Sequence, residues 1–459
     1  MKKLLALLLS LMLMAMPFAS YADAVNTTMT FTHGSLSELL SLFLGGNAEA
    51  YGTALNDLLD CVSLTEYVQN GQAGITLSLS GSEAVTANVA VTEAGLSLSS
   101  NLLGDDVVSV TFEELITLCN QQLAQYGLSL ETLMTVISTY LQDLDFSDLT
   151  FEQTNALVTE IMGRAVYAEV TEQPNDCDPA AALMTIHLTG ADIANVYTAT
   201  LNDVLNCKFI SKVVTDLLPL AGSDMTIDEL KAGVEQTLTE TFSLLGDIPV
   251  YFYLDENGSP VKEEFTLSMQ GMTEYCAFTK LTTADAVELA AVVTMGTEEQ
   301  ELMSAAVVYD MYSETSGAIS YSVDMSGTPI LFSGAWSLDD AESTVYFSAA
   351  YGETLDGVSL TAHMVPTETG KSADVTYAVT GDTLTALVSD PVLVTVHYDI
   401  STVADYPAIA GNEVHPMSMT EDELNEWTSS VSMNALIGVM GALQQLPASV
   451  LSLMYSTAE

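Results

Sequence analysis

The chain carries 61 acidic and 9 basic side chains in 459 residues, a formal net charge of −52 at pH 7, and 49% of its residues are apolar. That charge repels nucleic acid and anionic membranes, so neither is expected as a direct partner, while divalent cations or a basic protein surface are favoured. The apolar fraction excludes a disordered chain, and no Pro- or Ser-rich linker separates the segments, so one large domain, or two sharing a sheet, is expected.

Residues 1–24 read as a signal peptide. Lys2 and Lys3 form its positive start, Leu4 to Met16 its apolar stretch, and Ala22-Asp23-Ala24 a small-residue cleavage site. The apolar run is short for a bilayer span, and no Cys follows it for lipid attachment. Export, to the cell envelope or beyond, is expected after cleavage near Ala24.

Residues 25–110 should hold helices and a small β-meander. Met29–Thr32 reads as a short strand. Ser35-Leu36-Ser37-Glu38 has the form of a capping box, in which a hydroxyl and a carboxylate satisfy two orphan amides. A helix is predicted over Ala48–Cys61. Four strands then follow at Ile75–Leu79, Val85–Val91, Leu96–Leu102 and Val107–Thr111, broken by Gly-bearing turns. Across 111–247 the apolar period becomes helical, with further capping boxes at Thr111/Glu114, Thr150/Gln153 and Thr226/Glu229. After Thr226, the residues Ile227, Leu230, Val234, Leu238, Phe242 and Leu245 form one stripe that Gly246 ends. Leu183–Leu188 interrupts this block as a strand, with helices expected from about Asp192 and Phe209.

Residues 248–402 form a long antiparallel meander, on which the rest of the chain is organised. Ile319, Tyr321, Val323 and Met325 alternate with Ser320, Ser322, Asp324 and Ser326, and the pattern recurs through Val375, Tyr377 and Val379. Acidic, Gly- and Ser-bearing turns at short intervals suit consecutive hairpins. The second face is mostly Ser, Thr, Ala and Tyr, with nearly all charge in the turns. Such a face is either solvated or covered by helices or a partner. At the head of the meander, Val250–Leu254, Asp255-Glu256-Asn257-Gly258, Ser259-Pro260-Val261 and Phe265–Met269 read as a hairpin whose Asn-Gly supplies positive φ angles. This strand, Asp-x-x-Gly-x-Pro-Val, strand pattern resembles the hairpin of lipoprotein-carrier-type half-barrels and related exported lipid-binding proteins. The resemblance implies a curved antiparallel sheet with helices in its concavity, around a hydrophobic ligand.

Residues 403–459 end the chain in helices. Thr420-Glu421-Asp422-Glu423 caps one that carries Trp427, and Met433 to Tyr455 bears no charge. Gln444, Gln445 and Pro447 interrupt this segment and no basic residue follows, so a helix pair docked on the sheet is expected rather than a membrane anchor. Helices segregated from an antiparallel sheet make the fold class α+β.

The sequence offers little chemistry. The common nucleophile-elbow, zinc-protease, P-loop and dinucleotide motifs are missing. The five cysteines contain no CxxC pair; Cys177 with Cys207 is one conceivable disulfide, and Cys119 should pack as a small hydrophobe. The histidines, His33, His187, His363, His397 and His415, are scattered, and His363 and His397 fall on the Ser/Thr-rich face. Surface histidines are the plainer explanation; a site shared by neighbouring strands is the sharper one. Asp143, Asp145, Ser147 and Asp148 sketch the start of a calcium loop, but Asp148 stands where glycine is required and Thr154 where glutamate is. N-capping in a turn explains these residues better, with weak calcium binding by clustered acids left open. The expected function is non-enzymatic: an exported protein holding a lipid-like or other hydrophobic small molecule between sheet and helices. The alternative is a surface module that binds a protein partner through its Ser/Thr-rich face, and a hydrolase whose acids converge only in three dimensions is a third.

Overall fold

The computed structural model describes residues 24–456 except 45–47, 70, 93, 125–128, 130–137, 139–143, 219–224, 270, 298–299, 326 and 404–408; the expected signal peptide lies outside these, apart from Ala24. The fold is α+β, built on antiparallel strands. In chain order the strands and helices begin with β1 (Ala24–His33), α1 (Leu36–Leu44), α2 (Ala48–Cys61), β2 (Val62–Gln69), β3 (Gln72–Leu79), β4 (Ser82–Val91), β5 (Gly95–Ser100), β6 (Asp106–Thr111) and α3 (Phe112–Leu123). The helical stretch holds α4 (Glu152–Met162), β7 (Val166–Glu169), β8 (Ala182–Leu188), α5 (Gly190–Asn206), α6 (Lys208–Leu217) and α7 (Ile227–Phe242). The meander runs through β9 (Ile248–Leu254), β10 (Pro260–Met269), β11 (Met272–Thr282), β12 (Val287–Gly296), β13 (Glu301–Met311), β14 (Ser316–Met325), β15 (Thr328–Leu338), β16 (Ser343–Tyr351), β17 (Asp356–Pro366) and β18 (Gly370–Thr380). It ends with α8 (Asp382–Thr385) and β19 (Val392–Val403), before β20 (Asn412–Val414), α9 (Glu421–Leu443) and α10 (Ala448–Ser456).

The chain divides into two compact units. The first comprises Met1–Leu130, Trp336–Ala350 and Thr354–Glu459; the second comprises Glu131–Ala335 and Tyr351–Glu353. In the first unit β1 is an inner strand, hydrogen-bonded to β19 on one side and β2 on the other. The sequence pattern marks only four residues of β1, Met29–Thr32, and none of β2. Val62-Ser-Leu-Thr-Glu-Tyr-Val alternates weakly, and Glu66 interrupts its apolar set. From β1 the ladder runs outward through β19, β18 and β17 on one side, and through β2, β3, β4, β5 and β6 on the other, where β20 closes in parallel. One sheet face carries Phe31, Val108, Val110, Val396, Ala373 and Val379, most of them buried. Helix α2 lies over β1, and His33 on this face bonds Asp60 of α2 at 2.8 Å.

In the second unit, strands β7 through β14 pair antiparallel in chain order. Helices α5 and α7 pack side by side, with Tyr197 stacked on Phe242 at 5.6 Å. Gly190 makes that approach possible, because a Cβ there would strike the Phe242 carbonyl.

Several local expectations are corrected. The hairpin after β9 is not a two-residue turn with positive φ at both positions: only Gly258 is left-handed, at φ 80°. The Asp255 carboxylate takes the N–H groups of Asn257 and Ser259, and a bulge follows between Pro260 and Lys262. Helix α7 stops at Phe242 and not at Gly246. The boxes at Thr111/Glu114, Thr226/Glu229 and Thr420/Glu423 form. Those at Ser35/Glu38 and Thr150/Gln153 do not, because partners distant in sequence outcompete them. The Glu38 carboxylate binds Ser389, and the Ser35 hydroxyl accepts from the Asp390 N–H. The start of α4 is capped by the buried Asp203 carboxylate, which receives the N–H groups of Gln153 and Thr154 and the Thr154 hydroxyl.

Candidate functional site

Among the described residues, the acidic loop brings no three acids together. Asp143 lies outside the described residues. The Asp145 carboxylate accepts the Ser147 N–H at 2.8 Å, and the Ser147 side chain first, then that N–H, hold its pKa below the ordinary range. Asp148 turns to the start of α6, where it accepts the Lys208 N–H at 3.3 Å and lies 3.7 Å from the lysine Nζ. Both acids thus serve local capping. No group of three His, Cys, Asp or Glu side chains comes together as a metal site among the described residues. The five cysteines are all thiols, so Cys177 and Cys207 form no disulfide. Burial pushes the Cys61, Cys177 and Cys276 thiols up, away from the reactive thiolate.

Each histidine has an acid beside it, at 2.7 to 3.6 Å. His363 and His397 do share the hydroxyl-bearing face, on β17 and β19, with Asp374 of β18 opposite both. The His397 Nδ1 is 2.7 Å from Asp374 Oδ1, and its Nε2 is 2.7 Å from the Thr32 hydroxyl. Hydroxyl, imidazole and carboxylate thus have the spacing of a nucleophile, its base and the group that orients the base. All three lie on one face of the antiparallel ladder formed by β1, β19 and β18. Around them run two rows of threonines: Thr86, Thr76, Thr65 and Thr28 across four strands, and Thr32, Thr395, Thr376 and Thr361 across four.

A second candidate is the apolar face of the second unit. Register puts Met184, Ile186, Ile248, Val250, Phe265, Cys276, Val293, Ala305, Val307 and Tyr321 on one side of β8–β14. Over β8 and β9 this side is sealed: Met184, Ile186 and Ile248 are buried. Over β11–β14 it is not. Phe278 is 48% exposed, Leu289 44%, Ile319 43% and Met325 52%. The Tyr321 ring, itself part-exposed, stacks on Phe332 at 6.1 Å.

Two hollows open on this side. One, of about 420 Å³, is walled by Val261, Phe278, Leu289, Ala291, Val307 and Tyr309, with Glu263 and Lys280 at its edge. The other, of about 260 Å³, lies where Phe242 and Leu245 after α7 meet Leu267, Met272 and Met295. Lys280 and Glu274 border different hollows, about 20 Å apart along β11 at the usual strand rise. Lys280 makes no ion pair among the described residues, whereas Lys262 on the reverse side is bound to Glu264 at 2.8 Å.

That reverse side is polar and closed. Glu264 also accepts the Tyr275 and Tyr253 hydroxyls at 2.8 and 3.2 Å. Burial alone would raise the Glu264 carboxyl, but Lys262 and the two phenols outweigh it and hold it below the ordinary range. Burial first, then the adjacent carboxylate, pushes the Tyr275 and Tyr253 phenols up. This polar cluster fastens β9, β10 and β11 together.

The alternation that builds the apolar face is visible in the sequence, whereas its exposure is not. Period-two patterning says which side chains share a face; what covers the face depends on where helices dock. No protein-family model matches this chain, and comparison with curated proteins finds no significant relative.

Proposed function

We propose that the chain is an exported, non-enzymatic binding protein that holds a hydrophobic small molecule on the apolar side of β10–β14, beside the end of α7. The observation that carries this reading is the half-exposed pair Phe278 and Leu289 lining a hollow of about 420 Å³, with the part-exposed Ile319 and Tyr321 on the next strand, opposite its wall residues Tyr309 and Val307. That volume is within the usual range for small-molecule sites, roughly 300–1,000 Å³. Covering a Phe or Leu side chain that is half exposed gains on the order of 1 kcal/mol, so a ligand spanning four of them gains several. Lys280 offers a counter-charge to an acidic or strongly dipolar head group.

Native mass spectrometry of the chain from Val25, purified without detergent, tests the reading. Excess mass removed by organic extraction, or uptake of added fatty acid, supports it; in Leu289→Glu the uptake should fall at least tenfold while the fold is kept. A bare mass with no uptake of fatty acid or phospholipid overturns it.

A second reading, a protein-contact surface, is favoured by the two threonine rows and the Thr32–His397–Asp374 line on the open face of the first unit. It predicts capture of a protein through hydroxyl contacts that Thr-to-Val changes in those rows would abolish.

A further inference from the structure

The C-terminal helices of the first unit carry an apolar stripe that faces outward. From Trp427 to Ser456 no residue is charged, in a chain whose net charge is −52. In α9, Met433 is 58% exposed, Leu436 57%, Ile437 64% and Met440 49%. Their spacing of three, four and seven residues places them on one side of the helix, over two turns. The opposite side is anchored: Gly438 lies against Leu102, Asn434 against Gly104, and the Trp427 Nε1–H donates to Asp106 at 3.0 Å. Helix α10 is tied to α2 by the Ser449 hydroxyl and the Asp57 carboxylate, and presents Met454 and Tyr455 outward. Over Met433–Met440 the usual amphipathic arrangement is thus reversed, with Asn434 and Gly438 on the protein and the large apolar side chains in water.

Electrostatics selects the occupant. A second copy of this chain brings its own net charge of −52, and the self-repulsion opposes pairing at a patch that has no cation to offset it. An anionic bilayer is repelled likewise, and Glu426, seven residues before Met433, closes the stripe with a negative charge. An uncharged surface is not repelled, and only a non-aqueous one rewards a long segment without charge. By length and hydropathy no single helix crosses a membrane among the described residues; α9 and α10 reach that length only as a pair, and the pair is bent by 118°. That bend suits a segment lying in the plane of a surface.

We propose that the stripe Met433, Leu436, Ile437 and Met440 docks this unit onto a zwitterionic lipid surface, with α9 lying in the head-group plane. This is separate from the ligand site of the second unit and does not depend on it.

Flotation of the chain from Val25 with pure phosphatidylcholine vesicles tests the proposal. The expected result is co-flotation that persists in 0.5 M NaCl and weakens when anionic phosphatidylglycerol is mixed in, about as salt and charge act on an apolar contact. Leu436→Ser with Ile437→Ser should cut the vesicle-bound fraction at least tenfold. Both residues are more than half exposed, so the unfolding transition should be unchanged, which separates loss of docking from loss of fold. Leu289→Glu, on the other unit, should float as the parent does. Equal flotation of the double variant, or no flotation of the parent, overturns the proposal. A lipid-free dimer in light scattering that the double variant dissolves also overturns it, in favour of a second copy.

Discussion

Asp192 shows how much one side chain does in a chain so poor in cations. Its carboxylate completes the capping box of α5, taking the Thr189 N–H and hydroxyl, and meets both terminal nitrogens of Arg164 at 2.7 and 3.2 Å. The guanidinium beside it, reinforced by the Thr189 bonds, lowers its pKa to about 2. A carboxyl depressed in the folded state stabilises the fold above its unfolded pKa, near 3.9, and that contribution fades as pH falls through about 2. Asp192→Asn should therefore cost a constant amount above about pH 4, with the gap from the parent closing toward pH 2. Arg164 is 42% exposed, so water screens the pair and the loss should be about 1 kcal/mol, close to that of a lost cap. Urea midpoints at pH 7, 4 and 2.5 check it; a gap that widens in acid would contradict the assignment.

Among elements, what was legible in the sequence is what local spacing encodes. The strand alternation of Ile319 to Met325, the stripe of α7 and the boxes at Thr226 and Thr420 needed only neighbours within a few residues. What the sequence concealed is every contact between distant segments: β1 lying between β2 and β19, Glu38 leaving its own helix for Ser389, and Asp203 reaching the start of α4. The candidate sites follow the same division. His363 and His397 were assignable to one face, but Asp374 between them and Thr32 beside His397 required the register across β1, β19, β18 and β17. The Asp203 contact has a measurable consequence. That carboxylate is 4% exposed; burial by itself would raise its pKa, yet the bonds from Thr154 and Gln153 lower it. Asp203→Ala would orphan two amides at the α4 terminus and leave a gap in α5. The expected cost is roughly 2–3 kcal/mol, more than an exposed cap, with faster amide exchange confined first to α4. A loss under 0.5 kcal/mol would mean that water caps α4 equally well.

For the whole molecule, charge is the dominant long-range term. The ion pairs of Arg164, Lys208 and Lys262 engage few of the 61 acidic residues, and the remainder repel one another. Folding brings those carboxylates closer than the unfolded chain holds them, so screening should favour the folded state. The Debye length falls from about 30 Å at 0.01 M salt to about 3 Å at 1 M, well inside the spacing of neighbouring surface acids. The thermal midpoint should therefore rise by several degrees between 10 mM and 0.5 M NaCl, and the rise should flatten once nearest neighbours are screened. A midpoint that fell with salt would mean that the few ion pairs outweigh the repulsion. Calcium gives the complementary measurement, since a divalent ion at matched ionic strength screens no more strongly than sodium unless it is bound. Coincident curves would leave Asp145 and Asp148 as caps only. A further rise at millimolar calcium, lost in Asp145→Asn, would mean that the acidic loop gathers an ion after all.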